Sequence, residues 1–195
     1  MGQPQLKPMD IAGFLIWEER QELRHEFDGV QTIAMTGGTR AHSRIQAGIV
    51  AALNAHLRGS LFHAHAGHMK IRTPKGIRYP DAFVVCSPGW PSDTVVTDPV
   101  LIVEVLSEST AHEDFFVKTA EYQAIPTVQR YIILQQTHRI AVVFHRRGDR
   151  WEFAFVSGEG AMLDMPEIGI SVPLAEIYED IALEGDLAEG QQPPS

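Results

Sequence analysis

Glu104 stands inside Val100-Leu101-Ile102-Val103-Glu104-Val105-Leu106, a run that is apolar on both sides of it. Such a run fits a strand buried on both faces. A carboxylate placed there is costly unless a partner or a metal ion takes up its charge. The competing reading is an ion pair with an arginine, or an edge strand that turns the group to water. Asp81 follows Tyr79-Pro80 and precedes Ala82-Phe83-Val84-Val85, which places it at the start of a strand, where a proline is tolerated. Alone, Pro-Asp is a common turn pair. Converging with Glu104 from an adjacent strand, it makes an oxygen-rich pocket suited to Mg²⁺. Asp114, Lys118 and Tyr122 recur four apart and share one helix face. If that face covers the end of the Glu104 strand, the Lys118 ammonium reaches the carboxylates. The alternative is a surface Asp–Lys pair, worth about 0.3–0.5 kcal/mol.

Other groups compete for attention. In His63-Ala64-His65-Ala66-Gly67-His68, a strand would set His63 and His65 on one face. A cupin-like metal site wants a glutamate soon afterwards, but Met69 and Lys70 stand there. The histidines then read as surface or core residues. Cys86 ends a strand with no partner motif near it and reads as a small buried hydrophobe. Lys70, Arg72, Lys75 and Arg78 surround one turn, and His145, Arg146, Arg147 and Arg150 another. Either group could touch phosphate, or be a solvated turn.

The elements that would carry these residues follow from periodicity and punctuation. Asp10 caps a helix to about Glu19, with Ile11, Phe14 and Leu15 inward. Asp28-Gly29 between β-prone residues signals a hairpin. Arg40 to Leu57 is a helix with Ile45, Ile49, Leu53 and Leu57 on its inner face, ended by Gly59. Leu61 to Arg72 and Arg78 to Cys86 read as strands, and so does Val100 to Leu106. Ser107, Ser109 and Thr110 offer caps for a helix to about Ala124, closed by Pro126. Gln129 to Gln135 is a buried strand, and a hairpin turns at Gly148-Asp149. Pro173 opens a short last helix. Helices mixed with a central sheet make the class α/β or α+β.

With the elements in this order, several segments resemble one family: Tyr79-Pro80-Asp81, Val103-Glu104-Val105-Leu106-Ser107, the Ser109-Thr110…Asp114…Lys118…Tyr122 series, and Ile125-Pro126…Tyr131. Together they are similar to the Uma-two-type "putative restriction endonuclease" family of the PD-(D/E)XK, or restriction-endonuclease-like, superfamily. Arg24-His25-Glu26-Phe27-Asp28-Gly29 resembles its early hairpin segment, and His42 the histidine that opens its next helix. The resemblance runs from about Ile11 to Tyr178. It departs at one place. The superfamily carries Glu-x-Lys on one strand, whereas Val105 and Leu106 follow Glu104 here. The resemblance then makes Lys118, on the following helix, the substitute.

The resemblance implies a restriction-endonuclease-like α/β core, a mixed central sheet flanked by helices, with an N-terminal helix and hairpin. It implies metal-assisted phosphodiester hydrolysis in DNA. Asp81 and Glu104 would hold one Mg²⁺ or Mn²⁺, with the Val105 carbonyl. Lys118 would orient the attacking water or stabilise developing charge. Glu26, His42, Asp114 and Tyr122 would stand around these ligands or the phosphate. Two rival readings remain: an inactive nuclease-fold module that binds nucleic acid or a protein, and a structural homodimer module. A homodimer also suits the enzyme, because this superfamily often cuts two strands with two subunits.

Composition bounds these expectations. The 195 residues, 44% hydrophobic and 21% charged, suit one globular domain and exclude whole-chain disorder, collagen or coiled coil. Residues 1–8 and 184–195 read as flexible tails. The net charge of −9 argues against a simple nucleic-acid coat, though not against a metal-dependent nucleic-acid enzyme. With one cysteine no intramolecular disulfide can form. No apolar run approaches the roughly 20 residues of a membrane span, and Met1–Pro8 has no apolar signal core. The expectation is a soluble protein of the reducing cytoplasm.

Overall fold

The computed structural model describes residues 9–35, 37–106, 113–181 and 183, with the side chains of 113–115 excepted. Helix α1, Ile11–Glu18, starts where Asp10 Oδ1 accepts the Gly13 N–H at 2.7 Å. It buries Phe14, whose ring stacks on Phe27 at 5.1 Å. Strands β1, His25–Phe27, and β2, Thr32–Ala34, form the expected hairpin. Asp28 Oδ1 holds its turn by accepting the N–H groups of Val30 and Gln31 at 2.8 Å. Helix α2, Arg40–His56, is capped by Thr39 Oγ1, which accepts the His42 N–H at 3.1 Å.

The next two expected strands are each two strands. Residues 61–72 form β3, His63–Ala66, and β4, Lys70–Arg72. Residues 77–86 form β5, Ile77–Arg78, and β6, Ala82–Val85. Both breaks have a physical cause. Pro80 cannot donate to a ladder, and at Gly67 a Cβ would meet Gln46 Nε2 at 2.8 Å and the Pro80 carbonyl at 2.9 Å. The chain crosses between two sheets at each break, and the crossings pass each other at Gly67 and Pro80. Cys86 falls just beyond β6 and is exposed rather than buried.

One sheet has the order β2-β1-β5-β4-β7, with β7 the short strand Val95–Val96. The larger sheet has the order β11-β10-β9-β8-β6-β3. Its members are β8, Pro99–Leu106; β9, Arg130–Gln135; β10, Ile140–Arg147; and β11, Arg150–Ser157. Strands β8 and β9 are parallel and flank helix α3, Glu113–Gln123, whereas the other pairs in this sheet are antiparallel. The sheet is therefore mixed, as expected. Strands β12, Met162–Met165, and β13, Ile170–Pro173, form a further hairpin before helix α4, Leu174–Ile177. That hairpin and β7 add to the elements anticipated. The proposed caps Ser107, Ser109 and Thr110 and both tails lie outside the described residues.

Alternation along β8 divides the core. Leu101, Val103 and Val105 face α2 and the β12–β13 hairpin, burying Ile45, Ile49, Leu53, Leu163 and Val172. Ile102 faces the other way, with Phe83, Tyr131 and Ile133, against Tyr122 and Ile125 around α3. Arg146 closes the end of α3: it donates to the carbonyls of Gln123, Ile125 and Val128, and lies 4.6 Å above the Trp151 ring. That side chain serves the fold rather than a solvated turn.

Candidate functional site

Three elements and the strand break at Pro80 converge on Glu104. Ala82 pairs with Val103, so one step further along the same register Asp81 comes opposite Glu104. Asp81 Oδ2 accepts the Val105 N–H at 2.7 Å. In an extended strand the N–H and C=O of one residue point to the same side, so the Val105 carbonyl also turns toward Asp81. Helix α2 supplies two further partners one turn apart. His42 Nε2 lies 3.1 Å from Asp81 Oδ2, and Gln46 Nε2 donates to Asp81 Oδ1 at 3.1 Å. The hydrogen bond to Asp81 raises the His42 pKa against the opposing effect of burial, and the charge of Glu104 adds to the rise.

Helix α3 approaches from the opposite face of the sheet. Tyr122 Oη donates to Glu104 Oε1 at 2.8 Å, and Lys118 Nζ lies 3.5 Å from the same oxygen. Lys118 Nζ is also 3.2 Å from Glu26 Oε1, on β1. Glu104 is only 14% exposed. Burial pushes its pKa up to about 8; Lys118 opposes the shift, while the charges of Asp81 and Glu26 add to it.

A buried arginine completes the arrangement. Arg78 is 1% exposed. It donates through Nε and Nη2 to the two oxygens of Glu121 at 2.8 and 2.9 Å, and through Nη1 to Glu26 Oε2 at 3.0 Å. Those charges hold its pKa well above the usual range despite burial. Glu26 Oε1 accepts the Tyr79 N–H at 3.1 Å. Beside this group Tyr79 Oη donates to Glu18 at 2.8 Å, and Lys70 Nζ pairs with Glu18 at 2.9 Å. The carboxylates of Glu26, Glu104 and Glu121 thus face the cations Arg78 and Lys118, while Asp81 faces His42.

The donor set suits a hard divalent ion. Two carboxylates and a backbone carbonyl are all oxygen donors, and Mg²⁺ commonly takes one or two protein carboxylates while keeping several waters. Among the described residues no cluster of three or more His, Cys, Asp or Glu side chains forms a larger metal cage. His63 and His65 do not build one: His65 stacks on Phe83 at 5.0 Å, and His63 is exposed on edge strand β3.

Asp81, Glu104, Val105, Lys118, Glu26, His42 and Tyr122 are therefore brought together. The side chain of Asp114 lies outside the description. Arg78 departs from its reading as a turn residue, because it is buried and paired. Lys70 is paired with Glu18, whereas Arg72 and Lys75 are exposed. Sequence reasoning passed over Gln46 and Glu121. Their signal was helical spacing, with Gln46 four residues after His42 and Glu121 three after Lys118.

Residues 11–175 match the model of the Uma2 family, described as "putative restriction endonuclease". The chain belongs to this family. It is also similar to two uncharacterized proteins of Synechocystis sp. One, slr1290, is 31% identical over 182 residues, covering 92% of this chain and 94% of the relative. The other, sll1609, is 27% identical over 164 residues, covering 81% and 93%. Among solved structures, the fold matches a "putative nuclease belonging to DUF820" from Anabaena variabilis, with a TM-score of 0.73. The match covers 88% of this chain and 98% of that one at 14% identity, and so speaks for the fold. The Uma2 match and this fold bear out the restriction-endonuclease-like reading. Among the described residues no helix is long and apolar enough to cross a membrane.

Proposed function

We propose that this Uma2-family chain is a metal-dependent endonuclease that hydrolyses phosphodiester bonds in DNA. The observation that carries the reading is Lys118 Nζ standing 3.5 Å from Glu104 Oε1, where a lysine from the following helix takes the place of one on the strand. A structural ion pair alone does not call for Asp81, with its fixed orientation, beside the same buried carboxylate.

Asp81, Glu104 and the Val105 carbonyl would hold Mg²⁺ or Mn²⁺. When bound, such an ion polarises the scissile phosphate and lowers the pKa of a coordinated water. Val105 N–H and Gln46 fix the Asp81 carboxylate so that its orientation does not depend on the ligand. Tyr122 fixes Glu104 in the same way. Lys118, a mobile point charge with three donors, turns from Glu104 to the attacking water or to the phosphate oxygen where charge develops. His42 is placed to hold a proton beside Asp81. Glu26 receives the ammonium between turnovers.

The test is cleavage of single- and double-stranded DNA with Mg²⁺ or Mn²⁺ by the wild type and by Asp81→Asn and Glu104→Gln. Metal-dependent cutting by the wild type and its loss in both variants is the expected result. No cutting by the wild type across metals and substrates would favour the inactive module instead. The same assay on RNA distinguishes the substrate class.

A further inference from the structure

We propose that Arg78 and Glu121 form a clamp that positions Lys118 against Glu104. The proposal rests on the nuclease reading for its consequence, but its geometry is independent of that reading. Lys118, Glu121 and Tyr122 lie within one turn of α3 and share its inward face. Arg78 comes from β5, in the smaller sheet, whereas Glu104 belongs to the larger one. The fork from Arg78 to both oxygens of Glu121 therefore fastens α3 to the other sheet at the turn that carries the lysine. Bidentate geometry fixes rotation as well as distance.

The clamp also apportions charge. Arg78 Nη1 takes Glu26 Oε2, and Tyr79 N–H shares Glu26 Oε1 with Lys118. Glu26 thus meets Lys118 already partly neutralised and leaves the ammonium within reach of Glu104. Glu121, with both oxygens bonded to Arg78, does not compete for the lysine. Without the arginine, two buried carboxylates would lose their partner and draw on Lys118 instead. A lysine at position 78 keeps the charge but lacks the planar fork. Arg78 and Glu121 are on this account positioning residues, acting on the reaction through Lys118.

The experiment compares the full-length wild type with Arg78→Lys and Glu121→Gln, using three readouts. The first is acylation of Lys118 by a small amine-reactive reagent, without metal or DNA, followed by peptide mass spectrometry. The second is kcat and KM for DNA cleavage with Mn²⁺. The third is Mn²⁺ affinity by titration. The expected result is slower acylation of Lys118 in Arg78→Lys, where the carboxylates released by the arginine hold the ammonium, and faster acylation in Glu121→Gln, where Arg78 turns to Glu26 alone and the helix loosens. In both, kcat should fall by a factor approaching about a hundredfold, the scale of a misplacement of about 1 Å. KM and Mn²⁺ affinity should stay within about twofold. If Arg78→Lys fails to fold, Glu121→Gln, which keeps size and one acceptor, carries the test. Wild-type acylation and kcat in a folded variant would overturn the clamp. So would an equal loss of kcat and Mn²⁺ affinity with wild-type acylation, which marks a purely structural pair. A wild type that cuts nothing would instead overturn the nuclease reading, and the acylation rates would still decide the clamp.

Discussion

The Val105 N–H donates to Asp81 Oδ2 across 2.7 Å, tying the carboxylate at the head of β6 to the backbone of β8. This bond sets Asp81 beside Glu104 before any ligand arrives. It is possible because the chain leaves the smaller sheet at Tyr79-Pro80 and enters the larger one at Ala82, so Asp81 sits at the change of sheet rather than inside a ladder. Strand β8 runs on past Ala82, and its backbone there has a carboxylate for a partner.

Lys118→Met keeps the length of the side chain and removes its charge. Cleavage should fall by at least about a hundredfold, the usual scale for one acid–base or electrostatic group. Mn²⁺ affinity should be kept or rise, because a competing cation 3.5 Å from Glu104 is gone. Single-turnover cleavage with a parallel metal titration measures both. Wild-type cutting by this variant would remove the lysine from the mechanism.

Much of this site was legible in the residues. Glu104 declared itself because a charge in an apolar run needs an explanation, and Lys118 and Tyr122 because four-residue spacing on a helix fixes a shared face. The partners from the smaller sheet were harder to see. Arg78 and Glu26 sit in short strands whose pairing is decided by tertiary contact, so nothing local sets a buried arginine apart from a turn arginine. The same cause hid the breaks in residues 61–72 and 77–86. Alternation of side chains continues across a crossing, while the hydrogen-bonding partner changes. Cys86 was misjudged for a related reason, since the strand ends one residue earlier.

Saturating Mn²⁺ should stabilise the protein by mass action. At about 100 times Kd the gain is about 2.7 kcal/mol, a rise in melting temperature of about 5–10 °C for a chain of this size. Asp81→Asn should abolish the increment while keeping the side chain's shape. Thermal melts with and without Mn²⁺ measure it. An undiminished increment in the variant would place the ion elsewhere, with His63 and His65 the first residues to examine.

The raised pKa of Glu104 sets the pH dependence of the metal-free protein. Its carboxyl binds a proton more tightly folded than unfolded, so between about 4.5 and about 8 the folded state holds more protons. Stability then falls as pH rises through that window. His42, also raised, acts in the same direction: its contribution is complete below the ordinary histidine value of 6.5 and is lost as pH rises through the folded value. Denaturant unfolding from pH 4.5 to 8 should therefore show declining stability. Glu104→Gln should flatten the decline, and a slope unchanged in that variant would contradict the assignment. Mn²⁺, which needs the carboxylate, should bind more tightly as pH rises through the same range.

Gly76 lets the turn after β4 approach β1, for a Cβ there would overlap the Phe27 carbonyl. Gly76→Ala should cost about 1–3 kcal/mol by overpacking. It should also displace Glu26, the neighbour of Phe27, and so raise the acylation rate of Lys118. Denaturant melts and the acylation assay read the two effects. A shift in stability alone would mean that Glu26 holds its place without β5.

Asp81 and Glu104 are expected to share one divalent ion beside Lys118. Crystals of the protein soaked in Mn²⁺ and measured for anomalous scattering test it directly. One peak is expected, bonded to an oxygen of each carboxylate at about 2.0–2.2 Å, with the Val105 carbonyl in the same coordination sphere. A peak at His63 and His65, or no peak between the two carboxylates at saturating Mn²⁺, would contradict it.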